Sequence, residues 1–104
     1  MASPSSPITP LAVTTYELGD GSPFTTSAIA IQLVIGTTTT MAFECSMDGT
    51  NWVAINAMPS NSTTAVTSTT TAGIWRIDAT GVRVRLNVSV STGTNTVYWK
   101  PLVG

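Results

Sequence analysis

A turn at Asp48-Gly49 between two apolar segments constrains the fold of this chain more than any other feature. Phe43 and Cys45 alternate with polar residues before the turn, and Trp52 opens a second apolar run after it. Glycine adopts positive φ without steric cost and aspartate tolerates it, so Asp-Gly between alternating segments indicates a β-hairpin. The sequence therefore predicts antiparallel strands, with Asp48, Gly49 and Trp52 as structural residues of the hairpin.

Turn signals divide the rest of the chain into short segments, and several of them alternate in polarity. In the clearest segment, Val82 to Val90, apolar residues occupy every second position and Arg83, Arg85, Asn87 and Ser89 form the opposite face. About eight such strands without an amphipathic helix predict an all-β, antiparallel β-sandwich of jelly-roll or immunoglobulin-like type. The predicted strands are 11–18, 24–35, 39–46, 52–57, 63–70 (at a sheet edge), 73–79, 82–90 and 96–103.

The first ten residues differ from the rest, because they contain three of the six prolines. Proline fixes φ and lacks a donor, so we predict an extended arm at residues 1–10, before one β-sandwich domain at 11–104. The arm either lies on a neighbouring subunit or is an unattached terminus. The assembly-interface hypothesis comprises Pro4, Pro7, Ile8, Pro10 and Leu11, and near the other end Trp99, Pro101 and Leu102.

Charge is scarce in this sequence. Charged residues make up 9% and the formal net charge is −1, whereas about 25% charged residues is usual in globular proteins. A surface with so little charge suits a protein whose surface is partly covered by neighbours. Without a basic stripe, the sequence predicts no nucleic-acid partner. The longest apolar run, 28–35, contains Gln32 and is too short for a membrane helix, so we predict no membrane association.

The residue types that carry most enzyme chemistry are missing or dispersed. The chain contains no histidine, which removes the commonest general base and most zinc sites. Its carboxylates are not placed together by the sequence, and no motif for a cofactor or metal occurs. The single cysteine, Cys45, cannot form an intrachain disulfide, and its alternation with Phe43 favours a small buried hydrophobe in a protein assembled in the cytoplasm. We therefore predict a non-enzymatic protein without cofactors.

Each of the three tryptophans, Trp52, Trp75 and Trp99, lies in an apolar row. Tryptophans on strands either fill a small core or form a platform on which sugars stack. The alternation favours the core or a subunit interface.

Two segments, taken in order, resemble a class of small β-sandwich virion proteins of tailed bacteriophages. Residues 43–55 carry Phe-Glu-x-Ser-x-Asp-Gly-x-x-Trp-x-x-Ile, and residues 73–81 carry Gly-x-Trp-Arg-x-Asp-x-x-Gly, followed by Val-Arg-Val-Arg at 82–85. The match covers roughly residues 41–90, and its motif residues are structural. The resemblance implies a protein of the virion, with many members similar to decoration (cement) proteins that clamp neighbouring capsid subunits.

The resemblance implies binding to the major capsid protein on the outer surface of the phage head. Because symmetric shells present symmetric sites, we also expect copies of the chain to form a symmetric oligomer, for which we favour a trimer. The alternative is a glycan- or receptor-binding module on a head or tail fibre, since the hairpin alone also resembles that of discoidin-type sugar- and lipid-binding modules. This alternative predicts an exposed aromatic patch drawn from Tyr16, Tyr98 and the three tryptophans. A tail or baseplate component is a third hypothesis, which differs from the first in location.

Overall fold

Two antiparallel sheets make up the chain in the computed structural model, which describes residues 6–18 and 28–102. The strands are β1 (Thr15–Leu18), β2 (Ala28–Val34), β3 (Thr38–Ser46), β4 (Val53–Ala54), β5 (Met58–Pro59), β6 (Ser68–Thr69), β7 (Gly73–Ile77), β8 (Arg83–Thr92) and β9 (Thr96–Leu102). The first sheet has the order β1-β8-β3-β4, with β6 also paired to β3, and the second has the order β5-β7-β2-β9. No helix occurs in these ranges, and the prediction of an all-β sandwich is confirmed.

The pairing of β3 with β8 forms the centre of the first sheet. Phe43 lies opposite Leu86, and Met41 lies opposite Val88. All four side chains are buried, because residues at every second position of a strand face the same side. The inward rows that the sequence predicts for these two strands are therefore present.

A β-bulge changes the end of the inward row on β8. Met41 pairs with Val88 but Thr40 pairs with Val90, which leaves Ser89 as an extra residue on β8. One extra residue reverses the alternation beyond it, so Val90 is exposed at 40%. The prediction that Val90 continues the inward row is wrong for this reason.

The second sheet has β2 at its centre, between β7 and β9. Ile29, Ile31 and Leu33 are buried on the inward side, as their spacing predicts. Gln32 and Val34 face outward and are exposed. The outward side of this strand is therefore open at these two positions.

An aromatic contact joins the two sheets across the core. The rings of Phe43 on β3 and Trp75 on β7 have centroids 5.7 Å apart and planes inclined at 49°. Trp75 is 4% exposed, which confirms the prediction that it fills the core. Tilted rings at this separation attract each other in addition to removing apolar area from water.

Two strands are shorter than the sequence predicts because they share one edge of β3. β4 pairs with Glu44 and Cys45, whereas β6 pairs with Met41 and Ala42. Each strand therefore has only two partner residues on β3, in place of the predicted strands at 52–57 and 63–70. The turn predicted at 19–23 lies outside the described residues.

The segment from Ser6 to Leu11 lies along the outer edge of β9. Ile8 exchanges two backbone hydrogen bonds with Val97, at 2.8 and 3.0 Å, and the Ser6 hydroxyl accepts one from the N–H of Trp99. The side chains of Ile8 and Leu11 are 7% and 5% exposed. These two residues belong to the core of the domain, in place of the contact with a neighbouring subunit that was hypothesised for them.

The buried amide of Asn95 joins the turns at one end of the sandwich. Its Oδ1 accepts a hydrogen bond from the N–H of Gly36 at 2.8 Å. Its Nδ2 lies within hydrogen-bonding distance of the Thr38 carbonyl, the Ser91 hydroxyl and the Thr92 carbonyl, at 3.2, 2.9 and 3.1 Å. A buried amide with this many partners fixes the β2–β3 and β8–β9 connections relative to each other.

The substitution Ile8→Ala tests whether the arm is part of the domain. It should lower the free energy of unfolding by about 2 kcal/mol, because it removes buried apolar atoms and leaves a cavity. Val13→Ala is the matched control, since Val13 is 62% exposed and the change should stay within about 0.5 kcal/mol. Urea denaturation followed by tryptophan fluorescence measures both. Equal stabilities of the two variants would contradict the docking of the arm.

Candidate functional site

Asp48 organises the turn between β3 and β4. Its Oδ1 accepts hydrogen bonds from the backbone N–H groups of Thr50 and Asn51 and from the Ser46 hydroxyl, each at 2.9 Å. The Asn51 side-chain amide donates to Oδ2 at 2.8 Å. These hydrogen bonds, those from the Asn51 and Thr50 backbone foremost, hold the pKa of Asp48 well below its usual range. The carboxylate is occupied within the turn, as expected of a structural residue.

Gly49 allows the turn to approach the guanidinium of Arg83. Its φ is +77°, a conformation that residues with a side chain rarely adopt. A Cβ on Gly49 would lie 1.8 Å from Nη1 of Arg83. Glycine therefore suits this position for two reasons. It adopts the backbone conformation readily, and it leaves the space that the end of the Arg83 side chain occupies.

Trp52 covers the outer face of the first sheet. Its indole N–H donates to the Gly49 carbonyl at 3.2 Å. The guanidinium carbon of Arg85 lies 4.4 Å from the centroid of the Trp52 ring system, and that of Arg83 lies 5.9 Å from it. Cations at these distances are attracted to the negative face of the aromatic system. Trp52 is half-buried by these contacts. Of the two predicted locations, the core is therefore wrong for Trp52, and a subunit interface stays a prediction.

Both arginines beneath Trp52 are also ion-paired. Arg83 donates from Nε and Nη2 to the two carboxylate oxygens of Glu17, at 2.6 and 2.8 Å. Arg85 donates from Nε to Glu44 at 2.7 Å. The two pairs join β8 to β1 on one side and to β3 on the other. The charges on this face are matched within the domain and leave little for a partner.

The outer face of the second sheet is different. We use this name for the outward side chains of β5, β7, β2 and β9. Four large apolar side chains, Val34, Met58, Ile74 and Tyr98, are exposed there by 42 to 47%. Ile74 and Tyr98 lie in one cross-strand row, on either side of Gln32, and Met58 lies in the next row, Met58–Arg76–Ala30–Lys100. Val34 lies opposite Thr96.

A shallow depression of about 420 Å³ lies in this face. The small side chain of Ala30 sits in it, between Lys100 on one neighbouring strand and Arg76 on the other. Ser6 of the arm, Gln32, Ile74, Tyr98 and Lys100 contribute to its lining. A projecting side chain from a partner would fit such a depression.

A second depression, of about 580 Å³, lies beside β6 and β7. Its lining includes six serine and threonine residues together with Asn61, Ile74 and Trp75, and it contains no charged side chain. It offers hydrogen bonds but no group that could act as a general acid or base. Among residues 6–18 and 28–102, no cluster of three or more cysteine, aspartate or glutamate residues could hold a metal ion.

The predicted interface residues are scattered in the structure. Pro7, Pro10 and Pro101 are exposed, and Trp99 is half-buried and packs against the core. Pro4 lies outside the described residues, as does the side chain of Leu102, whose backbone pairs with Ala28. The outer face of the second sheet was not predicted as a candidate site, although Gln32 and Lys100 occupy the polar sides of their predicted strands.

The predicted glycan platform of aromatic residues is not assembled. Trp75 is buried, and Tyr16, Trp52 and Trp99 are half-buried, so Tyr98 alone of these five is exposed by more than a third. In the described part of the chain, no helix is both long and apolar enough to cross a membrane.

No family model and no curated protein matches this sequence. The structure is similar to one solved as the crystal structure of SPBc2 prophage-derived protein YomS, with a TM-score of 0.67. The superposition covers 91% of this chain and 93% of that chain, with 17% sequence identity. At this identity the likeness establishes a shared fold, and it supports the β-sandwich architecture.

Two glycines test the contact between the hairpin and Arg83. Gly49 and Gly81 both have φ of +77°, but a Cβ on Gly81 would meet no atom within 4 Å. Gly81→Ala should therefore cost about 1 kcal/mol of unfolding free energy from backbone strain alone. Gly49→Ala should cost more, because it also displaces Arg83 from Glu17.

Thermal or urea denaturation of both variants measures the difference, and repeating it in a Glu17→Gln background identifies its source. The excess cost of Gly49→Ala should shrink in that background, because Arg83 is then free to move. Equal costs at Gly49 and Gly81 would contradict the packing of Arg83 on the turn.

Proposed function

We propose that this chain is a non-enzymatic structural protein of a bacteriophage virion. More specifically, we propose a decoration protein that binds the outside of the head and stabilises the shell by bridging neighbouring capsid subunits. Its partners would be the major capsid protein and copies of itself, and it would be assembled in the host cytoplasm. A trimer, which we favour because symmetric shells present symmetric sites, is part of this proposal.

The outer face of the second sheet is the observation that carries the proposal. Soluble monomers rarely leave large contiguous apolar patches uncovered, and such patches mark interaction sites. Here Val34, Met58, Ile74 and Tyr98 are exposed on one face of a sheet. In a protein permanently attached to a shell, the surface of the shell would cover these four side chains.

Two further observations support the phage context. The segments that resemble phage virion proteins, 43–55 and 73–85, contribute to the central strands β3, β7 and β8. The similar structure is also that of a prophage-derived protein. The glycan-binding alternative has less support, because the aromatic residues it needs are mostly packed within the domain.

Particles from a phage that lacks the gene for this chain test the proposal. They should release their DNA at a lower temperature than complete particles, because the shell loses the clamps between its subunits. Adding the purified protein should restore heat resistance. Fluorescence of a DNA-binding dye during heating gives the release temperature, and mass spectrometry of purified complete particles shows whether the chain is present.

Equal release temperatures with and without the chain would contradict a decoration role. Absence of the chain from purified particles would contradict the virion assignment altogether. Recovery of the chain only in isolated tails would favour the tail or baseplate alternative.

A further inference from the structure

We propose that the outer face of the second sheet binds an acidic protein surface on the particle, and not a second copy of this chain. This proposal rests on the proposed function, and it adds the face that docks and the chemistry of its partner.

The cations of the two sheets differ in whether they are ion-paired. The chain contains four lysine and arginine residues. Arg83 and Arg85 lie on the first sheet, and each is ion-paired there with a glutamate. Arg76 and Lys100 lie on the outer face of the second sheet, and neither makes an ion pair with any described residue.

Arg76 and Lys100 lie in the same cross-strand row of this face. Both pair across strands with Ala30, one from each side. Since neighbouring strands are about 4.8 Å apart, the two backbones are about 10 Å apart. Asp78 follows Arg76 beyond the end of β7, and its carboxylate accepts a hydrogen bond from the N–H of Thr80. Two cations therefore flank Ala30 on this face, and one of them, Lys100, lines the depression in which the short Ala30 leaves room for a carboxylate.

Exposed apolar side chains lie beside these two cations. Ile74 and Tyr98 occupy the adjacent row, on either side of Gln32, and both are exposed. Apolar side chains beside a charge contact exclude water from it and strengthen it. The face thus suits an acidic side chain that has apolar neighbours in the adjacent row.

The same charges disfavour pairing with a second copy. In a two-fold contact the same patch of both copies meets, so Arg76 and Lys100 of one copy would face Arg76 and Lys100 of the other. Like charges opposed across an interface are strongly unfavourable. The described carboxylates on the first sheet are already engaged, Glu17 and Glu44 by arginines and Asp48 by the N–H groups of its own turn.

The test uses shells from the phage that lacks the chain and measures binding of the purified protein by co-sedimentation. The double variant Arg76→Gln/Lys100→Gln should bind about tenfold more weakly than the wild type, and wild-type binding should weaken as salt rises. The control Val13→Glu/Val53→Glu lowers the net charge by the same two units at positions that are 62% and 61% exposed. It should bind like the wild type.

The outcomes separate this proposal from the proposed function. Binding of the double variant at wild-type strength would overturn the docking face and leave the virion role intact. Failure of the wild type to bind shells would overturn the proposed function, and this proposal with it. Self-association of the wild type that Tyr98→Ser abolishes would show that the face pairs with a copy, and loss of binding after glycosidase treatment of the shells would show a carbohydrate partner. Either result would overturn the proposal.

Discussion

The pairing of β3 with β8 is the interaction on which the rest of the structure depends. It brings together residues that are 37 to 54 positions apart, from Ser46↔Arg83 to Thr38↔Thr92. Its inward side supplies Phe43, which contacts the second sheet through Trp75. Its outward side aligns Glu44 with Arg85, so one register fixes both the core and one of the two ion pairs beneath Trp52.

The two outer faces of the sandwich differ because of where the charges pair. On the first sheet, ion pairs and a tryptophan satisfy the arginines within the domain. On the second sheet, Arg76 and Lys100 stand among exposed apolar side chains without ion-pair partners in the described chain. A sandwich folds by burying its inner faces. The side chains on the outer face of the second sheet are therefore not needed for folding and can serve binding.

Alternation predicted the strands well where a strand has a buried side, as for Ile29, Ile31 and Leu33. It failed where the structure depends on neighbours that local pattern does not reveal. The bulge at Ser89 reverses the alternation without changing composition, and the shared edge of β3 limits β4 and β6 to two residues each. The position of Trp52 outside the core could not be predicted from local pattern, because only the fold brings Arg83 and Arg85 beneath it. The docking of Ile8 on Val97, 89 positions away in sequence, is equally invisible to local pattern.

A cryo-electron microscopy reconstruction of the complete particle would show where this domain lies and which of its faces docks. We expect density for the domain on the outside of the head, with Ile74, Arg76 and Tyr98 facing the shell and Trp52 facing solvent. Acidic residues of the shell should lie next to Arg76 and Lys100. Density in which the first sheet faces the shell, or contact between the second sheets of two copies, would contradict this expectation.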